Sequence, residues 1–289
     1  MTSKRARSGR ARLRLPLWYV AAFIVSAIFL VPLGSMIVGS LRQPGLPPPR
    51  VIEWLPNPIS LGNYVRVFQV IDLGRYILNT LVVEGLAVPV TLVVSSWAGF
   101  ALSQLRNRLS QSIMAVTFLL LFLPETALWV SRFILYRWVG VIDTPFALAA
   151  PSIFGTTPIY MLIFYWTFRR VPDEIWEASH LDGAGALRAW WTLGVPAGRA
   201  AFAAVGVLTF FYYWREFTEP LLYIQTAQRY TLAVGLAYLE QLDPTNWPIL
   251  LAGSVIVTAP LIVVFLVAQP FFLEPIERTG APVTLSVAE

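Results

Sequence analysis

The densest collection of groups able to do chemistry lies between Arg169 and Pro196. There the chain reads Arg-Arg-Val-Pro-Asp-Glu-Ile-Trp-Glu-Ala-Ser-His-Leu-Asp-Gly-Ala-Gly-Ala-Leu-Arg-Ala-Trp-Trp-Thr-Leu-Gly-Val-Pro. The stretch holds Asp173, Glu174, Glu177 and Asp182 beside the only histidine, His180. A nucleophilic site needs a serine or cysteine against a histidine that a carboxylate orients, and no such partner for His180 is apparent. His180 therefore reads as a solvent-facing helix residue. The chain has no cysteine, which excludes disulfides and thiolate metal ligation, and one histidine is too few for a zinc site. No Gly-x-x-x-x-Gly-Lys-Ser/Thr occurs, so the chain has no loop to cradle nucleotide phosphates. Recognition, not catalysis, is what these residues offer.

The pattern predicts two short helices. Pro172 suits a first helical position, and Asp173, Glu174 and Glu177 follow where negative charge is favoured, so one helix is expected over 172–180. Asp182-Gly183 supplies turn chemistry, with glycine free to take a left-handed conformation. A second helix is expected over 184–193, with Asp182 as its cap and Pro196 ending it. Leu187, Trp190, Trp191 and Gly194 fall at i, i+3, i+4 and i+7, one stripe of that helix. Its aromatics suit either a headgroup layer or a groove on a partner.

These helices must sit between membrane spans. Of the 289 residues, 57% are hydrophobic and 13% charged, and the mean hydropathy is +0.65. Soluble chains carry about 25% charged residues, so this chain cannot cover a water-soluble globule. A helix crosses the hydrocarbon core with about 20 apolar residues. Six segments qualify, at about 17–38, 76–102, 112–130, 144–168, 200–224 and 248–272. The first is too long for a typical signal-peptide core and lacks an obvious cleavage site, so it reads as a retained span. The fourth contains Pro151 and Pro158, for which a kink is expected. The fold class is therefore an all-α membrane protein of six transmembrane helices, with the helix pair between the fourth and fifth. Residues 1–16 form a basic tail, 17–272 the transmembrane domain with the patterned loop at about 169–199, and 273–289 a C-terminal tail.

The net charge is +5 and the pI about 9.7. Its densest run, Lys4, Arg5, Arg7, Arg10, Arg12 and Arg14, abuts the first span, as cytoplasmic retention of positive charge requires; nucleic acid is not the partner indicated. With that tail inside, Arg106, Arg108, Arg169, Arg170, Arg188, Arg199 and Arg278 share its side. Arg42, Arg50, Arg66, Arg75, Arg132, Arg137, Arg215 and Arg229 face the other. The bias puts both termini in the cytoplasm. Residues 41–75, rich in proline, and the loop at 225–247 are then external.

Ionisable groups inside spans are costly and mark functional positions. Glu84, Glu125, Glu216 and Glu219 are such groups, although Glu125 follows Pro124 near a span end. Tyr212, Tyr213 and Trp214 beside Glu216 form a polar-aromatic cluster, able to hydrogen-bond and stack a sugar or simply to form an aromatic belt. Arg215 beside Glu216 allows a structural ion pair instead.

Glu177-Ala178-Ser179, then Asp182-Gly183-Ala184, then Leu193-Gly194-Val195-Pro196 strongly resemble the EAA loop of ABC importer permeases: a Glu-Ala-Ala triplet, a glycine four residues on, and a hydrophobic-x-Leu-Pro ending. Ser179 and Val195 depart slightly from it. The resemblance extends along nearly the whole chain. Pro58-Ile-Ser-Leu-Gly-Asn-Tyr64, Asn79-Thr80, Val171-Pro172-Asp173-Glu174, Trp214-Arg215-Glu216-Phe217 and Thr231-Leu232-Ala233-Val234-Gly235-Leu236 are similar to segments of carbohydrate-type, binding-protein-dependent permeases. Arg215 stands where that pattern has asparagine. The match points to the smaller six-span subunit, of which the maltose-permease G component is the type.

The resemblance implies a permease subunit of an ATP-driven importer in a bacterial or archaeal cell (inner) membrane. Its partners would be a second homologous permease subunit, an ABC ATPase dimer and an extracellular substrate-binding protein, with lipid around them. The cargo would be a sugar, an oligosaccharide or related carbohydrate. The chain itself would be no enzyme and hold no cofactor, ATP and Mg being bound by the partner ATPase. Glu177, Ala178, Ser179, Asp182, Gly183 and Ala184 would couple to that ATPase, Glu177 through a charge-assisted contact. Tyr212, Tyr213, Trp214, Glu216 and Glu84 are the candidates for the substrate pathway. Tyr230, Tyr238 and Trp247 are the candidates for contact with the binding protein. A permease for glycerol phosphate, a polyamine or an amino acid stays open as an alternative, although a phosphorylated cargo would want convergent basic groups and only Arg215 lies near mid-membrane. A stand-alone secondary transporter would need paired repeats, and a membrane enzyme clustered catalytic groups; neither pattern is seen.

Overall fold

The computed structural model describes residues 8–48, 54–105 and 108–278, with side chains from 18 to 271. Lys4, Arg5 and Arg7 of the basic tail, Arg50, Arg106 and the tail beyond Arg278 fall outside those residues. The long elements follow the apolar segments. α1 runs Ser8–Ser40, α2 Gly62–Val70, α3 Leu73–Gln104, α4 Arg108–Leu120 and α5 Trp129–Val139. α6 is Pro145–Ala149, α7 Pro158–Arg169, α8 Asp173–Leu181, α9 Ala186–Ala189 and α10 Val195–Ala197. α11 is Arg199–Arg215, α12 Thr218–Tyr223, α13 Leu232–Leu242 and α14 Trp247–Arg278. Among the described residues four segments are long and apolar enough to cross a membrane, and six if each of two bent pairs is one span.

Several spans differ from the unbroken helices expected. The third is split: α4 and the stretch from Glu125 to Val139 meet at 91°. Pro124, extended at φ −69° and ψ 128°, offers no N–H and bars the helical conformation to the residue before it. The fourth is interrupted rather than kinked. After α6 comes a 3₁₀ turn, Ala150–Phe154, then Gly155 at φ +78° and Thr156 at φ +61°. Thr157 then caps α7 through Oγ1, and Pro158 opens it. The fifth stops at Arg215 rather than reaching Ile224, because the chain turns at Glu216 into α12. Residues 225–247 are not a plain loop either. They contain α13, on which Leu232, Val234 and Leu239 are buried.

The chain forms two compact units, residues 1–71 with 238–258, and residues 72–237 with 259–289. In the first, the end of α1 is closed by Asn63. Its Nδ2 donates to the carbonyls of Ser40 at 2.8 Å and Arg42 at 2.6 Å, while Ser40 Oγ and Tyr64 Oη share a 2.7 Å hydrogen bond. The Gly-Asn-Tyr segment of the sequence is thus a lock on carbonyls that the end of a helix leaves free.

In the second unit α3 is the core. Its inward face carries Tyr76, Thr80, Val83, Glu84, Ala87, Thr91 and Ser95, a three-and-four spacing with many small or hydroxylated residues, as close packing within a membrane favours. Pro89 lies on the exposed face and does not break the helix. α3 and α7 approach closely at Gly99. A Cβ there would lie 2.6 Å from Phe164 Cβ and 2.8 Å from both the Met161 carbonyl and the Tyr165 nitrogen. Gly85 on the same helix has open space.

The contrast gives a paired prediction. Gly99→Ala overpacks backbone against backbone, which costs about 1–3 kcal/mol, and should lower the thermal midpoint of the purified protein. Gly85→Ala should leave the midpoint unchanged or raise it slightly, since alanine is the better helix former by about 1 kcal/mol. Equal midpoints for the two variants would remove the Gly99 crossing as a determinant of packing.

Candidate functional site

The EAA-like segment folds into a helix, a closed turn and a second, irregular helix. Pro172 is the N-cap of α8 rather than its first residue. The helix ends in a pair of hydrogen bonds, from Gly183 N to His180 O and from Ala184 N to Ser179 O, both 3.0 Å. This double closure needs a left-handed residue at the glycine, and Gly183 has φ +78°. Nothing lies within 4 Å of where its Cβ would be; the demand for glycine there is conformational and not steric. Asp182 is the C-cap of α8. The expectation that it caps the second helix is corrected, since that role falls to Gly185, with no side-chain cap.

The second helix is not the regular one expected. α9 passes into a π-helical turn, Trp190–Gly194, before α10. The wider turn breaks the 3.6-residue period, so the expected stripe splits. Trp190 and Gly194 are buried, whereas Leu187 and Trp191 are each 65% exposed. The whole segment 186–197 meets α11 at 83°.

Aromatic packing ties this segment to the Gln104 end of α3. Trp176 is buried with its ring 5.3 Å from that of Phe100, which meets Phe168 edge-on at 5.8 Å. Trp190 meets Trp97 edge-on at 5.5 Å. Glu177, Ala178, Asp182 and Gly183 remain exposed, Ala184 is half-buried and Ser179 nearly buried. Ala178, Ser179, Asp182 and Ala184 line a surface concavity of about 580 Å³ together with Arg188 and Leu193. His180 only bonds the Trp176 carbonyl through Nδ1, at 2.7 Å. Trp176 as the root of this segment was missed in the sequence, where nothing distinguished it from an interfacial tryptophan.

The candidate pathway residues do not form one cluster. Tyr212 Oη donates to Glu125 Oε2 at 3.3 Å, while buried Tyr213 turns inward and shares a 3.2 Å hydrogen bond with Thr156 Oγ1. Trp214 is buried and stacks on Phe210. Glu216 Oε1 accepts from the backbone N–H groups of Thr218 and Glu219, at 2.9 and 3.1 Å. It therefore caps α12 and does not pair with Arg215. Glu219, also buried, pairs with Arg132 at 2.5 Å. Glu84 is 4% exposed with neither carboxyl oxygen hydrogen-bonded.

At the Leu73 end of α3, sequence segments that looked separate bond to one another. Asn79 Nδ2 donates to the carbonyls of Gln228 and Tyr230, and Thr80 Oγ1 accepts from Leu232 N at 2.8 Å. Tyr76 packs where a side chain at Gly235 would have to go. Asp143, unnoticed in the sequence, fastens the same strap. It accepts from Gln225 N and Thr226 N at 3.0 Å, from Thr226 Oγ1 at 2.5 Å and from Arg229 Nη1 at 2.9 Å. Partial burial alone would raise its pKa; the Thr226 and Gln225 hydrogen bonds and the Arg229 charge outweigh that and hold it below the usual value. Tyr230 is half-buried against Tyr76, their centroids 6.2 Å apart, while Tyr238 and Trp247 belong to the other unit and are partly exposed.

Comparison with known proteins bears on the family and the fold. Residues 91–272 match the family described as binding-protein-dependent transport system inner membrane component. The melibiose/raffinose/stachyose import permease protein MelC of Bacillus subtilis is 25% identical over 87% of this chain and 91% of its own. The trehalose/maltose transport system permease protein MalG of Thermococcus litoralis is 26% identical over 88% of this chain and 92% of its own. A chain in the crystal structure of a bacterial ABC transporter involved in the import of the acidic polysaccharide alginate superposes with a TM-score of 0.73. It has 20% identity and covers 94% of this chain and 100% of that one.

Asp143 makes the strap pH-dependent. A carboxylate whose folded pKa is depressed contributes stability above its unfolded pKa and loses it as pH falls through the folded value. Amides of 224–230 should therefore be protected from hydrogen exchange at neutral pH. After correction for intrinsic rates, protection should fall as the pH drops below about 4. Asp143→Asn should reduce protection at neutral pH and flatten that dependence; an unchanged profile in the variant would show that Asp143 does not hold the strap.

Proposed function

The chain belongs to the binding-protein-dependent transport system inner membrane component family, and on that premise we propose that it is the smaller permease subunit of an ATP-driven carbohydrate importer. It would form the pathway with a second, homologous permease, receive sugar from an extracellular binding protein and take energy from an ATPase dimer. The observation that carries the coupling part of this reading is the segment 173–197. Its acidic residues are presented outward on a closed turn, while Trp176 and Trp190 root it in the aromatic cluster beneath. A helix anchored in this way moves with α3 and α7 as one body, so a displacement imposed on Glu177 or Ala178 reaches the spans without being absorbed locally.

Each part has a role under this reading. Glu177 offers a charge-assisted contact to a basic group of the ATPase. Ala178 and Ala184 keep the surface shallow, and Gly183 sets the turn. Exposed Leu187 and Trp191 face a partner groove or the headgroup layer. Arginine bias supports a cytoplasmic side for this end of the bundle and for both termini. The sugar part rests on relatives named for melibiose, raffinose, stachyose, trehalose and maltose, and on walls that mix tyrosines with carboxylates.

Gly183 separates conformation from contact. Gly183→Val puts a β-branched residue in the left-handed region, at a cost of about 1–3 kcal/mol, and should lower ATPase stimulation in the reconstituted transporter several-fold. Gly183→Asn, which tolerates that region, should retain most of it. Glu177→Ala should weaken ATPase association about tenfold or more, as loss of a charged hydrogen bond does. Wild-type assembly and coupled ATPase activity in both Gly183→Val and Glu177→Ala would sink the coupling assignment.

A further inference from the structure

Resting on the carbohydrate-permease reading above, we propose that the recess beside Thr231 is a subsite for one uncharged glycosyl ring. The recess encloses about 200 Å³ between the Leu73 end of α3, the start of α6 and the 224–231 strap. Its floor is apolar, with Val83, Pro145 and Leu148, and its polar groups are Asn79, Arg229 and Thr231. All belong to the same compact unit.

Thr231 is the observation that calls for a ligand. It is 4% exposed, and its Oγ1 has no hydrogen-bond partner. A buried hydroxyl left unpaired costs about 1–3 kcal/mol. Its neighbour Thr80 is saturated, donating to the Tyr76 carbonyl and accepting from Leu232 N. The backbone on both sides of Thr231 is pinned, by Asn79 to the Tyr230 carbonyl and by Thr80 to the Leu232 nitrogen. The backbone that carries the free hydroxyl is therefore held in a fixed position. Asn79 adds an acceptor, because its Nδ2 is committed to the strap and its Oδ1 accepts from none of the described residues.

The charges select the ligand class. Arg229 would attract an anion, but its guanidinium is already paired with Asp143. A second hollow, of about 10 Å³, adjoins the recess at Val83, Leu148 and Thr231 and is edged by Glu216 and Glu219. It is wide enough for one water; Glu219 is neutralised by Arg132, so it is the Glu216 carboxylate, bonded only to backbone N–H groups, that disfavours a uronate or phosphate. What fits is a ring with an apolar C–H face for the floor and hydroxyls for Thr231 and Asn79.

The absence of cysteine from the chain allows a direct test. Thr231→Cys is made in the transporter assembled with its ATPase and binding protein, and the rate of modification by methyl methanethiosulfonate is followed. Maltose, melibiose and raffinose serve as neutral probes and trigalacturonate as the acidic one. At least one neutral sugar should slow modification fivefold or more, and trigalacturonate should not. Thr231→Val, which replaces the unpaired hydroxyl with a methyl group, should leave the thermal midpoint unchanged or raise it and slow uptake of the protecting sugar by about threefold to tenfold, the effect of one hydrogen bond. A thiol that is never modified, modification indifferent to all three neutral sugars, protection by trigalacturonate, or wild-type uptake by Thr231→Val would each overturn the subsite. The permease reading fails separately, if the wild-type assembly takes up no sugar at all; a wild type that transports beside an unprotected Thr231→Cys sinks only the subsite.

Discussion

Hydrocarbon supplies no hydrogen bonds, so every interruption of a spanning helix must be satisfied from within the chain. Much of the polar sequence is arranged around that requirement. Where α1 ends, the Asn63 amide takes up two carbonyls. Where α11 ends, Glu216 turns back to receive the first N–H groups of α12. Where the fourth span is interrupted, the hydroxyls of Thr91, Thr156 and Tyr213 bond in series across three segments. Glu216, which looks like a cargo-binding carboxylate in the sequence, thus serves first as a partner for the backbone.

The same requirement gives the two ends of α3 different mechanical characters. At the Gln104 end, contacts are rings packed edge-on, among them Phe100, Phe168, Trp176 and Trp190. Close-packed interiors transmit displacement, which suits an element that receives force. At the Leu73 end, the 224–231 strap is held by hydrogen bonds and one ion pair, through Asn79, Thr80, Asp143 and Arg229. Such bonds can exchange with water or with a hydroxylated ligand, which suits an element that meets cargo. One helix is thus packed in rings at one end and hydrogen-bonded at the other, an arrangement that the proposed function would use.

Unpaired groups stand out against this background of satisfaction. Glu84 and Thr231 are buried on the same unit, and neither has the partner its burial calls for. Natural interiors keep few such groups. Both lie near the interruption in the fourth span and the end of the fifth, where the helices give way to short turns. An irregular backbone at membrane depth is tolerated where it lines a cavity or is buried in protein. The recesses along these turns are consistent with the first condition.

Composition and apolar run length were enough to fix the membrane class, because burial in lipid acts on every residue of a span. The EAA-like turn was legible too: Gly183 sits where only a left-handed residue closes α8, and that demand is local. The breaks near Pro124 and Pro151 were marked by their prolines, yet whether a proline kinks a helix or ends it depends on what neighbouring segments supply to the freed groups. Other features exist only in three dimensions. The stripe through Leu187, Trp190, Trp191 and Gly194 was split because packing against Phe168 and Trp97 was met with a π-helical turn, which no periodicity announces. Asp143 and Thr231 carry no local signature; one is defined by a strap some 80 residues distant in the chain and the other by the partner it lacks. The sequence by itself determined the solvent of this protein and the shape of its outward turn, since both follow from short-range chemistry. Only the tertiary structure decided which polar groups are occupied with holding the chain together and which are left free, because that depends on residues far apart meeting where water cannot.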